Sequence, residues 1–237
     1  MFDVISKREY WAALDDPLVD TRLSQTRRAV LDLKHVQDAW ILSKCARVTN
    51  KRMLEIGGGF GRVLRTLEGN ERWNLDTVGG PGRTVKETKR RMPPEYTVVD
   101  AMMGDFSLDL PSEYFHLVFS ISVIEHVPTA ANRSFWQDHA RVLRPGGKAY
   151  HAIDLYLGDE PSDHVEVRLN AYIAGIQENG LSFLVTPTIR RPVVFRSAYA
   201  TNPDLAMRHW NSIVPKLRKV REKKQSVSLG IGVYKPF

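Results

Sequence analysis

The sequence predicts an α/β fold, a parallel sheet with helices on both faces, and three observations carry that prediction. Strand-like and helix-like stretches alternate through residue 155. The run Gly57-Gly58-Gly59-Phe60-Gly61 follows the first clear strand and precedes a helical segment. At 237 residues, 43% hydrophobic and 26% charged, the chain has enough apolar content to bury a core, which excludes disorder as its overall state.

Each element has its own signal. Leu33, Val36, Trp40 and Ala46 fall near helical spacing, so residues about 26 to 47 should form an amphipathic helix in an N-terminal extension. Arg52 to Ile56 is the first strand, and after the glycine run a short helix should turn Val63, Leu64 and Leu67 inward. Trp73 to Val78 is the second strand, broken by Gly79-Gly80-Pro81-Gly82. Tyr96 to Met103 and Phe115 to Val123 are the third and fourth, the latter apolar enough to be buried on both faces. Asn132 is placed to cap a helix carrying Phe135, Trp136, Ala140 and Leu143. Pro145-Gly146-Gly147 should stop that helix and start a fifth strand, Ala149 to Leu155. Val165, Leu169, Tyr172, Ile173 and Ile176 mark another helix, ended by Asn179-Gly180. Val227, Leu229, Ile231 and Val233 alternate with small or polar residues, and the last third should add antiparallel strands. No repeat or flexible linker divides the chain, so it reads as one domain over 1–237.

Composition narrows the function. The single cysteine, Cys45, excludes a disulfide framework and a thiolate-cage zinc site. No run of eighteen apolar residues suits a membrane span, and the first residues lack a signal peptide, so a cytoplasmic location is expected. A net charge of +7 permits a polyanionic partner without establishing one. Much of the excess lies in Lys216, Arg218, Lys219, Arg221, Lys223 and Lys224, interrupted by Leu217 and Val220 as on a solvated helix face.

A glycine turn between strand and helix brings bare backbone amides to a ligand at a helix N-terminus. A phosphate-cradling P-loop needs Gly-Lys-Ser/Thr, and here Gly61 is followed by Arg62 and Val63, so that reading fails. The dinucleotide pattern G-x-G-x-x-G fits Gly57 and Gly59 but meets Arg62 where a small residue should stand. A third pattern fits better. Glu55-Ile56-Gly57-Gly58-Gly59-Phe60-Gly61 resembles the first motif of class I S-adenosylmethionine-dependent methyltransferases. Met103-Gly104-Asp105-Phe106, Phe115 to Val127 with its Ser122-Val123-Ile124-Glu125-His126 exit, and Leu143-Arg144-Pro145-Gly146-Gly147 are similar to later motifs of that family, in order, across residues 52 to 155. His116 departs from the pattern, standing where the family carries aspartate.

The resemblance implies a doubly wound, mostly parallel, seven-stranded Rossmann-like sheet with an antiparallel C-terminal strand. It divides the domain into an N-terminal extension or lid (1–50), a cofactor-binding core (51–155) and acceptor-side elements with the terminal strands (156–237). It implies S-adenosylmethionine as cofactor and S-adenosylhomocysteine as product. Some sugar methyltransferases of this fold hold the acceptor hydroxyl with a divalent cation, but for the polar residues after the fifth strand a solvated loop or acceptor hydrogen bonding is expected in place of a divalent metal. Glu55 would offset the cofactor ammonium, and the amides of Gly57, Gly58, Gly59 and Gly61 would approach its methionine and ribose. Asp76 is the candidate for the ribose hydroxyls. Gly104, Asp105 and Phe106 would meet the adenine, and Ser120 and Ile121 would line the cofactor near the methyl group. Simpler roles stand beside these: a helix-end cap for Glu55, a turn start for Asp105, core packing for Phe106.

The acceptor follows less directly. His126, just past the fourth strand, is the candidate base for a hydroxyl acceptor, with an architectural role as the alternative. His151, Asp154, Asp159, Asp163 and His164 form a polar cluster after the fifth strand; His151 and Asp154, three apart, should point to opposite faces. His151, Asp154 and Tyr156 are the candidates for acceptor binding. Tyr10, Trp11 and Trp40 could cover the pocket, and Arg190, Arg191, Tyr199, His209 and Trp210 could line it. The reading is methylation of a small molecule or glycan at oxygen. Its rivals are an RNA or protein methyltransferase using the 216–224 run, an NAD-dependent oxidoreductase, and a binding protein without transfer.

Overall fold

The computed structural model describes residues 1–26, 33–77, 94–200 and 215–237. Eight strands form one sheet: β1 (Phe2–Val4), β2 (Arg52–Ile56), β3 (Glu71–Leu75), β4 (Tyr96–Val99), β5 (Phe115–Ile121), β6 (Leu143–Leu157), β7 (Ser182–Phe183) and β8 (Gln225–Tyr234). Their order is β1-β8-β6-β5-β2-β3-β4. The block β4-β3-β2-β5-β6 is parallel, and β8 runs antiparallel to β6. The eighth strand arises because β1 and β7 share the outer edge of β8, pairing Phe2 with Ile231 and Phe183 with Val233. A bare edge would present unpaired amides and carbonyls to other chains.

Successive residues of a strand face opposite sides, and β2 shows the two layers this creates. Leu54 packs with Val118, Phe135, Trp136, Val165 and Leu169, the side of α4 (Asn132–Val142) and α5 (Asp163–Glu178). Met53 packs with Phe119, Leu23, Trp40 and Ile41, the side of α1 (Lys7–Leu14), α2 (Pro17–Gln25) and α3 (Leu33–Cys45). Ser6 and Glu9 form a capping box on α1, and Asp16 caps α2 just before Pro17. In β8 the alternation separates large side chains from small ones rather than buried from exposed. Val227, Leu229, Ile231 and Val233 face α4 and α5, while Ser226 and Ser228 are also buried and Gly230 lies under the Trp40 ring.

Several expectations need correction. The expected helix at about 26–47 is described only as α3, residues 27–32 lying outside the described set, as do Gly79-Gly80-Pro81-Gly82. After the glycine run there is a single 3-10 turn, Leu64–Thr66, because the Gly69 turn and the start of β3 follow at once. Val63, Leu64 and Leu67 are nevertheless fully buried. Asn132 is not a cap: a 3-10 turn at Thr129–Ala131 runs straight into α4. That helix ends at Val142, and Pro145-Gly146-Gly147 lies inside β6, where Leu143 and Lys148 face Phe115 and Leu117 across a bulge. β5 ends at Ile121 because Ser122 turns to φ +54°. The basic run falls on the short helix α6 (Pro215–Arg221) and the residues after it; Arg221 turns inward, over the Tyr156 ring and onto the Ser226 hydroxyl. The Lys216 and Leu217 side chains lie outside the described set.

Candidate active site

A cavity of about 490 Å³ opens at the carboxyl ends of β2, β3 and β5, where ligands of open α/β sheets bind. Gly57, Asp76, Met103, Gly104, Asp105, Ser122, Val123, His126 and Phe135 are among its lining residues.

Of the glycine run only Gly57 lines the cavity; Gly58, Gly59 and Gly61 stand behind it. Gly57 has φ +65°, and a Cβ there would lie 2.5 Å from Val123 Cγ2. At Gly58 a Cβ would fall 2.5 Å from Asn74 Oδ1 and 2.7 Å from Glu55 Cδ, so a side chain cannot be added without displacing both. Asn74 Nδ2 donates to the Gly59 carbonyl (2.9 Å), and the Gly59 amide donates to Asp76 Oδ2 (2.7 Å). Asp76 thus borders the cavity with one oxygen already holding the loop. Glu55 lies beneath, 1% exposed, and burial pushes its carboxyl up to about 8 against the pull of Arg62. Arg62 follows Gly61 and forks onto Asp38 of α3 through Nε (2.9 Å) and Nη2 (2.7 Å). That fully buried carboxylate ties α3 to the loop.

The Met103–Phe106 turn is held from two sides. Asp105 Oδ2 accepts the Met102 amide (2.8 Å). Asp138 of α4, fully buried, accepts the Gly104 (2.8 Å) and Phe106 (3.2 Å) amides on Oδ2 and Arg141 Nε on Oδ1 (2.8 Å). Gly104 and Asp105 line the cavity; Phe106, with φ +54° and 39% exposed, stands outside the lining.

At the end of β5 the register differs from expectation by two residues. Ser120 is buried with its hydroxyl 2.8 Å from His151 Nδ1, and Ile121 packs on the α3 side. Ser122 and Val123 reach the cavity instead. His151 lies sealed beneath α4, its ring 5.0 Å from His139, and burial drives it well below the usual histidine range. Asp154 points to the other face, as three-residue spacing demands. There its Oδ1 is 2.7 Å from Ser122 Oγ and accepts Gln37 Nε2 (2.6 Å), while Lys34 Nζ lies 3.4 Å from Oδ2 and also meets Ser122. Glu125 stands beside this cluster, its carboxyl raised to about 7 by burial first and Asp154 second. His126 lines the cavity and is exposed. Tyr156 is half-buried under Arg221.

Other candidates are elsewhere. Trp40 packs on β8, Tyr10 bonds His35 (2.8 Å), Trp11 is 59% exposed, and Asp163 and His164 begin α5. His209 and Trp210 lie outside the described residues. Among the described residues no three His, Cys, Asp or Glu side chains converge as a metal-ligand set, and no helix is long and apolar enough to cross a membrane. Sequence reasoning missed Ser122, Val123, Lys34, Gln37, Asp138 and the Arg62–Asp38 fork. One signal was present: Gln37 and Asp38 stand between Val36 and the apolar run Ala39-Trp40-Ile41-Leu42, and both are fully buried.

Residues 54–151 match the family model described as a methyltransferase domain. The 2-methyl-6-phytyl-1,4-hydroquinone methyltransferase of Synechocystis is 28% identical over 95 residues, 40% of this chain and 29% of that protein. The chain therefore spans under a third of that relative's length. Among solved structures, geranyl diphosphate C-methyltransferase from Streptomyces coelicolor superposes with a TM-score of 0.60 at 12% identity, over 99% of this chain and 90% of that one. Phosphoethanolamine N-methyltransferase 2 of Haemonchus contortus gives 0.55 at 15% identity, over 85% and 52%. These two likenesses show the fold.

Proposed function

We propose, from the match of residues 54–151 to a methyltransferase-domain model and the cavity beside them, that this protein transfers a methyl group from S-adenosylmethionine to a hydroxyl of a small-molecule or glycan acceptor. The observation that carries the reading is the convergence on one cavity of the bare Gly57 backbone, the Asp76 carboxylate and the Met103–Asp105 turn, with Glu55 beneath. When bound, the cofactor supplies a methyl carbon activated by its sulfonium. The chain's own residues do the rest. Asp76 has an oxygen left for ribose hydroxyls once Gly59 is served, the Met103–Asp105 turn borders the cavity where the adenine would lie, and Glu55 becomes the counter-charge for an ammonium.

Transfer to oxygen requires a proton acceptor near the acceptor hydroxyl. Two groups support that chemistry: His126 at the rim, and Asp154 behind Ser122, oriented by Gln37 and Lys34. The named relatives act as C- and N-methyltransferases and on a hydroquinone; the choice of oxygen here rests on that polar cluster. Incubation with methyl-tritiated S-adenosylmethionine and a panel of sugars, phenols and amines tests the reading. Label should enter hydroxylated acceptors, and Asp154→Asn should lower turnover at least tenfold without changing affinity for S-adenosylhomocysteine. Label confined to amines or carbon would overturn the oxygen assignment. Binding of NADH in place of S-adenosylhomocysteine would overturn the cofactor.

A further inference from the structure

A second cleft, of about 360 Å³, lies at the opposite ends of the strands. Ser122 lies six residues beyond His116, just past the end of β5, about 20 Å at 3.3 Å per residue, so the cleft is remote from the cavity described above. Lys44 of α3, Lys51 before β2, and Arg144 and Lys148 of β6 surround it, over a floor that includes Leu117 and Tyr150. No carboxylate side chain lines it, and none of these four cations has an ion pair among the described residues.

His116 records a shortage of acceptors there. Its Nδ1 is placed to accept the Arg52 amide (3.3 Å), and its Nε2 lies 2.8 Å from Arg144 Nη1. A neutral imidazole has one acceptor nitrogen, and both neighbours are donors. One of the two contacts therefore sets donor against donor. A proton added to the ring would make both contacts donor against donor. Burial first, then Arg144, Arg52 and Lys51, hold the His116 pKa below its usual value; Glu71 opposes them.

We propose that this cleft binds a compact, multiply charged phosphoryl anion. Its oxygens would supply the missing acceptors: to the Arg144 guanidinium as a fork, and to Lys51, Lys148 and Lys44 as point charges. A cleft of about 360 Å³ with four cations around it suits a compact di- or triphosphate group rather than a long backbone. The proposal does not depend on the methyltransferase reading.

Calorimetric titration with tripolyphosphate at physiological salt tests it, using the full chain. Lys51 and Lys148 are exposed, so Lys51→Glu and Lys148→Glu should leave thermal stability unchanged. The expected result is saturable one-to-one binding, weakened at least tenfold by either reversal. NMR titration should show the His116 pKa rising when the cleft is filled, because the anion offsets the surrounding cations. Absence of saturable binding at millimolar concentration, or wild-type affinity in the double reversal, would overturn the proposal. So would a single-stranded RNA that binds there and is not displaced by tripolyphosphate.

Discussion

Glu55 is the residue on which the cofactor reading makes its sharpest demand. With its carboxyl raised to about 8, it holds a proton at pH 7 in the free protein. An ammonium placed nearby favours the carboxylate, so binding releases a proton. Calorimetry of S-adenosylhomocysteine in buffers of different ionisation enthalpy should detect that proton near pH 7, and affinity should rise between pH 6.5 and 8.5. Glu55→Gln should abolish both effects. Asp76→Ala should weaken binding at least tenfold, since it removes the carboxylate proposed for the ribose and frees the Gly59 amide. That Asp76 and Asp105 border the cavity was legible from their order in the sequence, each following a strand-like run. Ser122 was not, because its left-handed backbone moves the strand exit two residues beyond Ser120. Nor were Asp138 and Asp38: they act on segments 34 and 24 residues away, where no local pattern records the pairing.

Among the elements, α4 carries the heaviest duty at the site. Its Asp138 holds the 104–106 turn and balances Arg141. Breaking a buried pair leaves an uncompensated charge, so Asp138→Ala should cost about 3 kcal/mol, measurable by urea unfolding. It should also weaken S-adenosylhomocysteine binding, since the turn loses its two amide anchors; wild-type affinity would contradict this role. The strands themselves were read from their apolar runs, and errors gathered where a local stop signal competes with tertiary pairing. Pro145-Gly146-Gly147 reads as a break, yet β6 runs through it because β5 and β8 pair on either side of the bulge.

Taken together, the sheet and α4 enclose two histidines, His151 on β6 and His139 on α4 itself, whose burial against each other sequence did not show. His139 is held down to about 3 by burial, and His151 is lowered too. Between pH 6.5 and 3 the unfolded chain binds protons at these sites that the folded protein does not, so their contribution to stability falls as pH falls. Glu55 and Glu125, whose pKa values are raised, act in the opposite direction above pH 4.5. A difference between variants separates the two: His139→Phe should lose less melting temperature than the parent between pH 7 and 5. An equal loss would contradict neutral burial of His139. The parallel core and the antiparallel β8 were legible from alternation and period. The eighth strand was not, since β1 is only three residues long and its pairing depends on β8, more than two hundred residues later.

A crystal structure with S-adenosylhomocysteine would decide whether the cavity beyond β2, β3 and β5 is the cofactor site. The account predicts density with ribose hydroxyls on Asp76, the adenine against Met103–Asp105, and the sulfur directed toward Ser122 and His126. Density placed elsewhere on the protein, or none at saturating ligand, would contradict it.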